Sequence, residues 1–232
     1  MNYRIVGDSD NPYVDVSLPT GQRIKLESGA MVFMKGVSIE GKLNSNSKGI
    51  GGLFKAVARS AVSGESMFIT EAEGTAPDGR IGIAPAVPGC IRKLTIGDRQ
   101  YRLNTGAFLC CDDSVTYNMI AQKNIGKAVF GGTGGFFIME TAGYGDLFVN
   151  AFGDMEELEV REGDPLIIDN EHVVAWDSNL DYNIRVASGV IGFTSGEGLV
   201  NEFHGNGKVI IQTRNVHSLA KALQVYLPSS SS

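Results

Sequence analysis

The chain has 232 residues, 43% of them hydrophobic, and a formal net charge of −6 at pH 7. This length suits one all-β domain or two average domains, and the hydrophobic content is enough for a sizeable core. An acidic chain binds nucleic acid only through a compensating basic face, which is not evident here, so we expect no nucleic-acid partner. The apolar runs are far shorter than the about 18 residues of a membrane-spanning helix.

Cysteine usage and the first residues of the chain indicate a compartment. The three cysteines, of which Cys110 and Cys111 are adjacent, do not form the spaced, even-numbered set of a disulfide framework. In a strand the adjacent pair would point to opposite faces, one of them into the core. The N-terminal residues contain no hydrophobic region of a signal peptide. These features predict a cytoplasmic protein, and no residue pattern calls for a cofactor.

Glycine content favours a fold with many turns. The chain has 30 glycines in 232 residues, about 13% against a usual ~7%. Residues 3–43 contain five short apolar runs separated by glycines and prolines, which predicts five strands. Similar runs follow from residue 65 to residue 213. The composition therefore predicts an all-β domain.

Residues 50–62 break this pattern. Apolar residues recur every four positions from Leu53 to Ala61, and two basic residues lie on the opposite helical face. This spacing predicts a short helix that packs on the domain, covers a ligand cleft or contacts a membrane surface. The residues that would make such a contact are Leu53, Phe54, Lys55 and Arg59.

A glycine-rich turn occurs three times. Each copy has two apolar residues, a glutamate three positions before a first glycine, a second glycine, and a new apolar run. The glutamates are Glu71, Glu140 and Glu202, separated by 140−71 = 69 and 202−140 = 62 residues. Since glycine accepts positive φ, each copy predicts a β-hairpin. Recurrence at a nearly fixed period indicates an internal repeat.

A second pattern fixes how the units divide the chain. An apolar residue, a polar turn and an apolar pair occur at residues 26–32, 103–109 and 168–174. The first copy has no hairpin before it, and the last hairpin has no copy after it, so we predict that strands from both termini share one sheet. The prediction is a single domain, residues 1–232, with units at about 64–132, 133–195, and 196–213 combined with 1–43. The alternative is chance similarity among generic turns.

The C-terminal residues predict a second helix. Apolar residues from Val216 to Leu227 fall on one helical face within residues 215–227, and Asn215 or Ser218 would cap its start. Pro228 would end it.

The three glutamates are the only candidate metal ligands that the pattern supplies. If Glu71, Glu140 and Glu202 faced a common axis, their oxygens could bind a hard cation. If they faced outward, they would be solvated or paired with Arg and Lys, and we prefer this interpretation. No catalytic site is predicted: His172 occupies a position held by alanine in the other copies and is expected to be a hydrogen-bonded structural residue.

Several segments resemble one known family over nearly the whole chain. They are residues 51–54, 63–68, 88–89, 106–109, 130–134, 172–176 and 212–214. They resemble the altered-inheritance-of-mitochondria (mitochondrial biogenesis) family, whose bacterial members were long described as a domain of unknown function. The resemblance implies a fold like that of the tryptophan RNA-binding attenuation protein, a shortened double-stranded β-helix with internal repeats. It implies no known activity, and RNA binding does not follow from the fold.

We therefore expect an all-β protein with this fold, an internal pseudo-threefold repeat and two short helices. The leading hypothesis for function is a non-enzymatic scaffold or binding protein that self-associates through strand edges, with a trimer as one option. The alternatives are a small-molecule or membrane-surface binding protein that uses residues 50–62 as a cover, and an enzyme with an unfamiliar site.

Overall fold

The structure is a computed structural model that describes residues 1–7, 10–43, 68–121, 137–186 and 199–227. Four antiparallel sheets make up most of it. The all-β prediction is confirmed for these residues. No helix among them is both long and apolar enough to cross a membrane. The predicted helix at residues 50–62, in the connection between two strands, lies outside the described residues.

The sheets are described by their strand order. The first sheet contains β1 (Asn2–Val6), β2 (Tyr13–Ser17), β7 (Arg80–Ile83) and β4 (Met31–Lys35). The second contains β5 (Val37–Leu43), β6 (Phe68–Gly74), β3 (Arg23–Glu27), β10 (Phe108–Asp112), β13 (Gly145–Asn150) and β8 (Ile91–Ile96). The third contains β11 (Val115–Ala121), β12 (Phe137–Gly143), β9 (Tyr101–Asn104), β16 (Val173–Asp177), β19 (Gly207–Gln212) and β14 (Met155–Val160). The fourth contains β15 (Leu166–Asp169), β18 (Leu199–His204) and β17 (Asp181–Val186).

Three core clusters lie between successive sheets. One joins the first and second sheets, one the second and third, and one the third and fourth. The central strands of the second and third sheets are therefore buried on both faces. Because side chains alternate along a strand, β10 and β16 are apolar at consecutive positions. Cys110 belongs to the cluster with the first sheet and Cys111 to the cluster with the third. Both cysteines are fully buried, whereas the sequence predicted only one in the core.

The predicted hairpins at the three glutamates are wrong. β6 and β7, β12 and β13, and β18 and β19 are consecutive in the chain, but the two members of each pair lie in different sheets. The turn at Gly143 and Gly145, with φ of 82° and 134°, is a corner at which the chain passes from the third sheet to the second. Glycines reverse the chain in either geometry, so the residue pattern alone does not tell a corner from a hairpin.

The prediction that both termini share a sheet is also wrong for the described strands. β1 to β4 belong to the first and second sheets, whereas β18 lies in the fourth and β19 in the third. The N-terminal strand β1 pairs with β2, the next strand along the chain, and not with a strand from the C-terminal region.

One α-helix, α1 (Val216–Gln224), follows the last strand, where the sequence predicted a helix at residues 215–227. The Asn215 side chain accepts a hydrogen bond from the backbone N–H of Ser218 and thereby caps the helix. Two short 3-10 helices, Thr105–Ala107 and Asn170–His172, connect β9 to β10 and β15 to β16. Among the described residues there is thus one α-helix rather than two.

A buried carboxylate holds the first sheet together. Asp15, only 4% exposed, accepts hydrogen bonds from the guanidinium groups of Arg4 on β1 and Arg80 on β7, so one residue of β2 links three strands. The Arg80 hydrogen bonds lower the pKa of Asp15 more than its burial raises it. The carboxylate is therefore ionised near neutral pH, with both of its oxygens paired.

The pKa of Glu27, at the end of β3, is shifted in the opposite direction from that of Asp15, and this shift gives a testable pH dependence. Burial raises the pKa of Glu27 to about 7, against ~4.3 in an unfolded chain. Between these values the folded protein keeps a proton that the unfolded protein releases, so stability falls as pH rises across this window. Glu27→Gln should abolish that loss, which is at most about 4 kcal/mol. Urea unfolding from pH 4.5 to 8 measures it.

Glu162→Gln, at an exposed residue on the turn after β14, is the control and should keep the wild-type pH profile. If Glu27→Gln and wild type lost stability in parallel over this range, burial of the Glu27 carboxyl would not govern the pH dependence.

Candidate functional site

Four connecting segments meet at one place in the structure. They precede β2, β8, β14 and α1, and each of the last three donates a backbone hydrogen bond to the segment before it. Gly89 N–H donates to the Asp10 carbonyl at 2.8 Å, Gly153 N–H to Pro88 at 3.1 Å, and Arg214 N–H to Phe152 at 3.2 Å. Residues far apart in sequence are thereby brought side by side.

A cavity of about 580 Å³ opens along these segments. We call it the junction cleft; it is lined by residues 10, 88–89, 152–154 and 213–215, together with His172, Ser218 and Leu219. Its size falls in the range of small-molecule sites, which are apolar clefts with a few convergent polar groups. Pro88, Phe152 and Leu219 supply the apolar surface here, and Arg214 and Asp154 supply charge.

Glycines let the segments approach closely. A Cβ on Gly89 would lie 2.0 Å from the carbonyl oxygen of Ala151, and one on Gly153 would lie 2.5 Å from the Thr213 hydroxyl. Gly153 also has a φ of 81°, which side chains rarely adopt. The Thr213 hydroxyl in turn accepts a hydrogen bond from the Asp154 N–H at 3.0 Å. The cleft wall therefore depends on the absence of side chains at these two positions.

His172 is fixed through both ring nitrogens. Its Nδ1 lies 2.7 Å from the Gln212 carbonyl oxygen, which can only accept, and its Nε2 lies 2.9 Å from the Asn215 amide nitrogen, which donates. This arrangement requires the neutral ring with the proton on Nδ1. The prediction of a hydrogen-bonded structural histidine agrees with this geometry. Because Nε2 already accepts a hydrogen bond, His172 orients the start of α1 and is poorly placed to act as a base.

Arg214 has no ion-pair partner among the residues that the structure describes. Within the part of the chain that the structure describes, the Arg214 guanidinium makes no ion pair or side-chain hydrogen bond, whereas most arginines of the protein pair with carboxylates. Asp154 lines the same cleft but forms no ion pair with Arg214. The guanidinium is thus available to a bound molecule that carries an acceptor or a negative charge.

The thiols of the protein are poor nucleophiles. Cys90, next to Gly89, is half-buried, and burial raises the pKa of its thiol. Burial also raises the pKa of Cys111 to about 12, and that of Cys110 well above its usual value. All three thiols are therefore protonated at neutral pH, and the thiolate is the reactive form. With His172 already engaged, the cleft is better arranged for binding than for nucleophilic chemistry.

The residues that the sequence singled out lie elsewhere. Leu53, Phe54, Lys55 and Arg59 are outside the described residues. Glu71, Glu140 and Glu202 are in the second, third and fourth sheets, respectively. Among the described residues, no group of three His, Cys, Asp or Glu side chains could hold a metal ion.

Two of these glutamates pair with arginines of neighbouring strands. Glu140 accepts a hydrogen bond from Arg102 at 2.5 Å, and Glu202 accepts one from Arg185 at 2.7 Å, which lowers the pKa of Glu202. Glu71 lines a small surface cavity of about 110 Å³ with Arg23 and Glu40. The structure thus places each glutamate in the middle of a strand flanked by two others.

Sequence reasoning missed the junction cleft. Pro88–Gly89, Phe152–Asp154 and Thr213–Asn215 are unremarkable turns when they are considered singly. A signal was present, since each of the three follows a β-strand and precedes the next strand or α1. Only the pairing of the strands brings them together.

Gly89→Ala should strongly destabilise the fold. The added methyl group meets backbone atoms that cannot move independently, so the free energy of unfolding should fall by about 2 kcal/mol or more. Gly97→Ala is the matched control, because a Cβ there has no atom within 4 Å, and its effect should stay within about 0.5 kcal/mol. Urea unfolding measures both. Equal stability of the two variants would contradict the close approach at Gly89.

Comparison with known proteins identifies relatives over the full length. The sequence model described as "Mitochondrial biogenesis AIM24" matches residues 3–214. An uncharacterized protein of Streptococcus pyogenes serotype M6 is 44% identical over 233 residues, covering 100% of this chain and 93% of the relative. A crystal structure of a Streptococcus pyogenes protein superposes with a TM-score of 0.81 at 42% identity, covering 97% of this chain and 99% of that one.

Proposed function

The chain belongs to the mitochondrial biogenesis AIM24 family, and we propose that it is a non-enzymatic binding protein whose junction cleft takes a small molecule. The observation that carries this proposal is a cavity of about 580 Å³ that combines an apolar wall with the Arg214 guanidinium, which makes no ion pair with the described residues. The two acidic residues of the lining, Asp10 and Asp154, limit how much negative charge a ligand can carry. A compact apolar molecule with one anionic group fits this lining best.

We further propose an internal threefold repeat on a fold like that of the tryptophan RNA-binding attenuation protein, with units β2–β7, β8–β13 and β14–β19. What supports it is the pairing: the fifth strand of each unit lies between the second and fourth, and the sixth lies between the first and third. A register shift occurs at the corresponding place in each unit, between Met31 and Phe33, Phe108 and Cys110, and Val173 and Ala175. This division differs from the one the sequence suggested, because each unit is continuous.

Self-association is a second candidate function, favoured by strand edges that the described residues leave unpaired. A cytoplasmic location and the absence of a nucleic-acid partner stay predictions. A membrane-surface role of residues 50–62 also stays a prediction, since its candidate contacts lie outside the described residues.

Binding of 8-anilinonaphthalene-1-sulfonate tests the cleft proposal. This probe has an apolar ring system and one negative charge, so it should bind with its sulfonate at Arg214 and its rings against Phe152 and Leu219. Arg214→Gln should weaken binding about tenfold or more, because a charge-assisted hydrogen bond is lost. Fluorescence titration measures the affinity. Arg161→Gln, at an exposed arginine that pairs with Glu159, is the control and should bind like wild type.

A blocking variant separates the cleft from the exposed apolar face of α1. Ser218→Trp places a bulky side chain in the cleft and should abolish probe binding, while Leu223→Gln changes only the exposed face and should leave it intact. If Arg214→Gln and Ser218→Trp both bound the probe as tightly as wild type, the junction cleft would not be its site.

A further inference from the structure

Two strand pairings join the proposed units to one another. β3 of the first unit pairs with β10 of the second, and β9 of the second pairs with β16 of the third. In both joints the second strand of one unit contacts the third strand of the next. The paired positions correspond: Cys111 lies opposite Lys25, and Trp176 lies opposite Arg102.

The same rule leaves one strand open at each end of the series. β15 is the second strand of the last unit, and β4 is the third strand of the first. Within the described residues, β15 pairs only with β18 and β4 pairs only with β7. These two strands lie in the fourth and first sheets, which share no core cluster, so the joint is not made within the chain.

Residues of β4 are exposed where their counterparts are buried. Met34, Cys111 and Trp176 correspond, because each is the second paired residue after the register shift of its strand. Met34 is 46% exposed, whereas Cys111 and Trp176 are 0% exposed. Val32 is 55% exposed, and the corresponding Leu109 and Val174 are at most 1% exposed. The difference is that β10 and β16 are each paired with the second strand of the preceding unit, whereas β4 has no such partner among the described residues.

The open strand of the last unit is apolar as well. Ile167 is 50% exposed and corresponds to Lys25 and Arg102, whose side chains pair with acidic groups of the same molecule. An isoleucine at a solvent-facing edge position has no such partner and exposes a large hydrophobic surface. Natural sheets usually protect an edge of this kind with charged residues, because it is a template for pairing.

We infer that β15 of one molecule pairs antiparallel with β4 of a second copy, continuing the series of units from chain to chain. The register follows from the two internal joints: Phe33 lies opposite Ile168, Met34 opposite Ile167, and Lys35 opposite Leu166. This register brings the two exposed apolar residues, Met34 and Ile167, face to face. The contact is head-to-tail, so it closes into a ring or continues as a filament.

The second copy is the occupant that the structure favours, because the chain itself carries both halves of the joint. A different partner would have to supply a strand that fits this register and places an apolar residue opposite Met34. β15 of a second copy meets both requirements. This inference does not depend on ligand binding in the junction cleft, whose lining includes no residue of β4 or β15.

Disulfide trapping between two singly substituted chains tests the register. One full-length protein carries Met34→Cys and the other Ile167→Cys, each with a different tag. Directly opposite residues of an antiparallel pair are close enough for a disulfide. Mild oxidation of the mixture should give a cross-linked heterodimer as the main product. Wild type controls for the native cysteines, and Ile5→Cys, at a residue 43% exposed on β1, replaces Ile167→Cys as the mismatched control.

Sedimentation of unoxidised protein gives an independent readout. Met34→Lys should shift the wild-type assembly to monomer, since a charge at the centre of the joint is left without a partner, while Val225→Lys, at a residue 78% exposed after α1, should not. A wild-type monomer at all concentrations would overturn the inference. So would a cross-link that forms only when both cysteines are on one chain, because this would mean that the joint closes internally.

Discussion

The burial of the second and third sheets on both faces is the constraint on which the rest of the structure depends. Each of these sheets contributes alternate residues to two different core clusters, so neither can be folded without its neighbours on both sides. Because the sheets are stacked, the chain has to pass repeatedly from one sheet to the next. The glycine corners supply those transitions, and the layers then bring four distant connecting segments together at the junction cleft.

The same constraint explains which positions exclude side chains. At the corner, a Cβ on Gly143 would lie 2.4 Å from the carbonyl oxygen of Ser114, and at the cleft a Cβ on Gly89 would meet the backbone of Ala151. These glycines lie where two layers or two segments touch through their backbones. By contrast, Gly97 and Gly106 have open space at the Cβ position and serve ordinary turns.

The sequence predicted the fold class and the C-terminal helix because both depend on local patterns. Strand length, glycine spacing and the cap at Asn215 are properties of a few consecutive residues. The arrangement of the strands depends on which ones pair, and the corner at Gly143–Gly145 illustrates the difficulty: a hairpin and a change of sheet require the same two glycines. The junction cleft was missed for the same reason, since Arg214 and Gly89 are separated by more than a hundred residues and meet only after the sheets have formed.

Cys110 and Cys111 have a consequence for how the molecule opens. They are consecutive in β10, yet each faces a different core cluster, so a thiol reagent reaches Cys110 only from the side of the first sheet and Cys111 only from the side of the third. The reactivity of Cys110 therefore reports the opening of the first and second sheets, and that of Cys111 reports the opening of the second and third. Their relative rates of modification would distinguish peeling of an outer layer from disruption of the central ones, without any label being added to the protein.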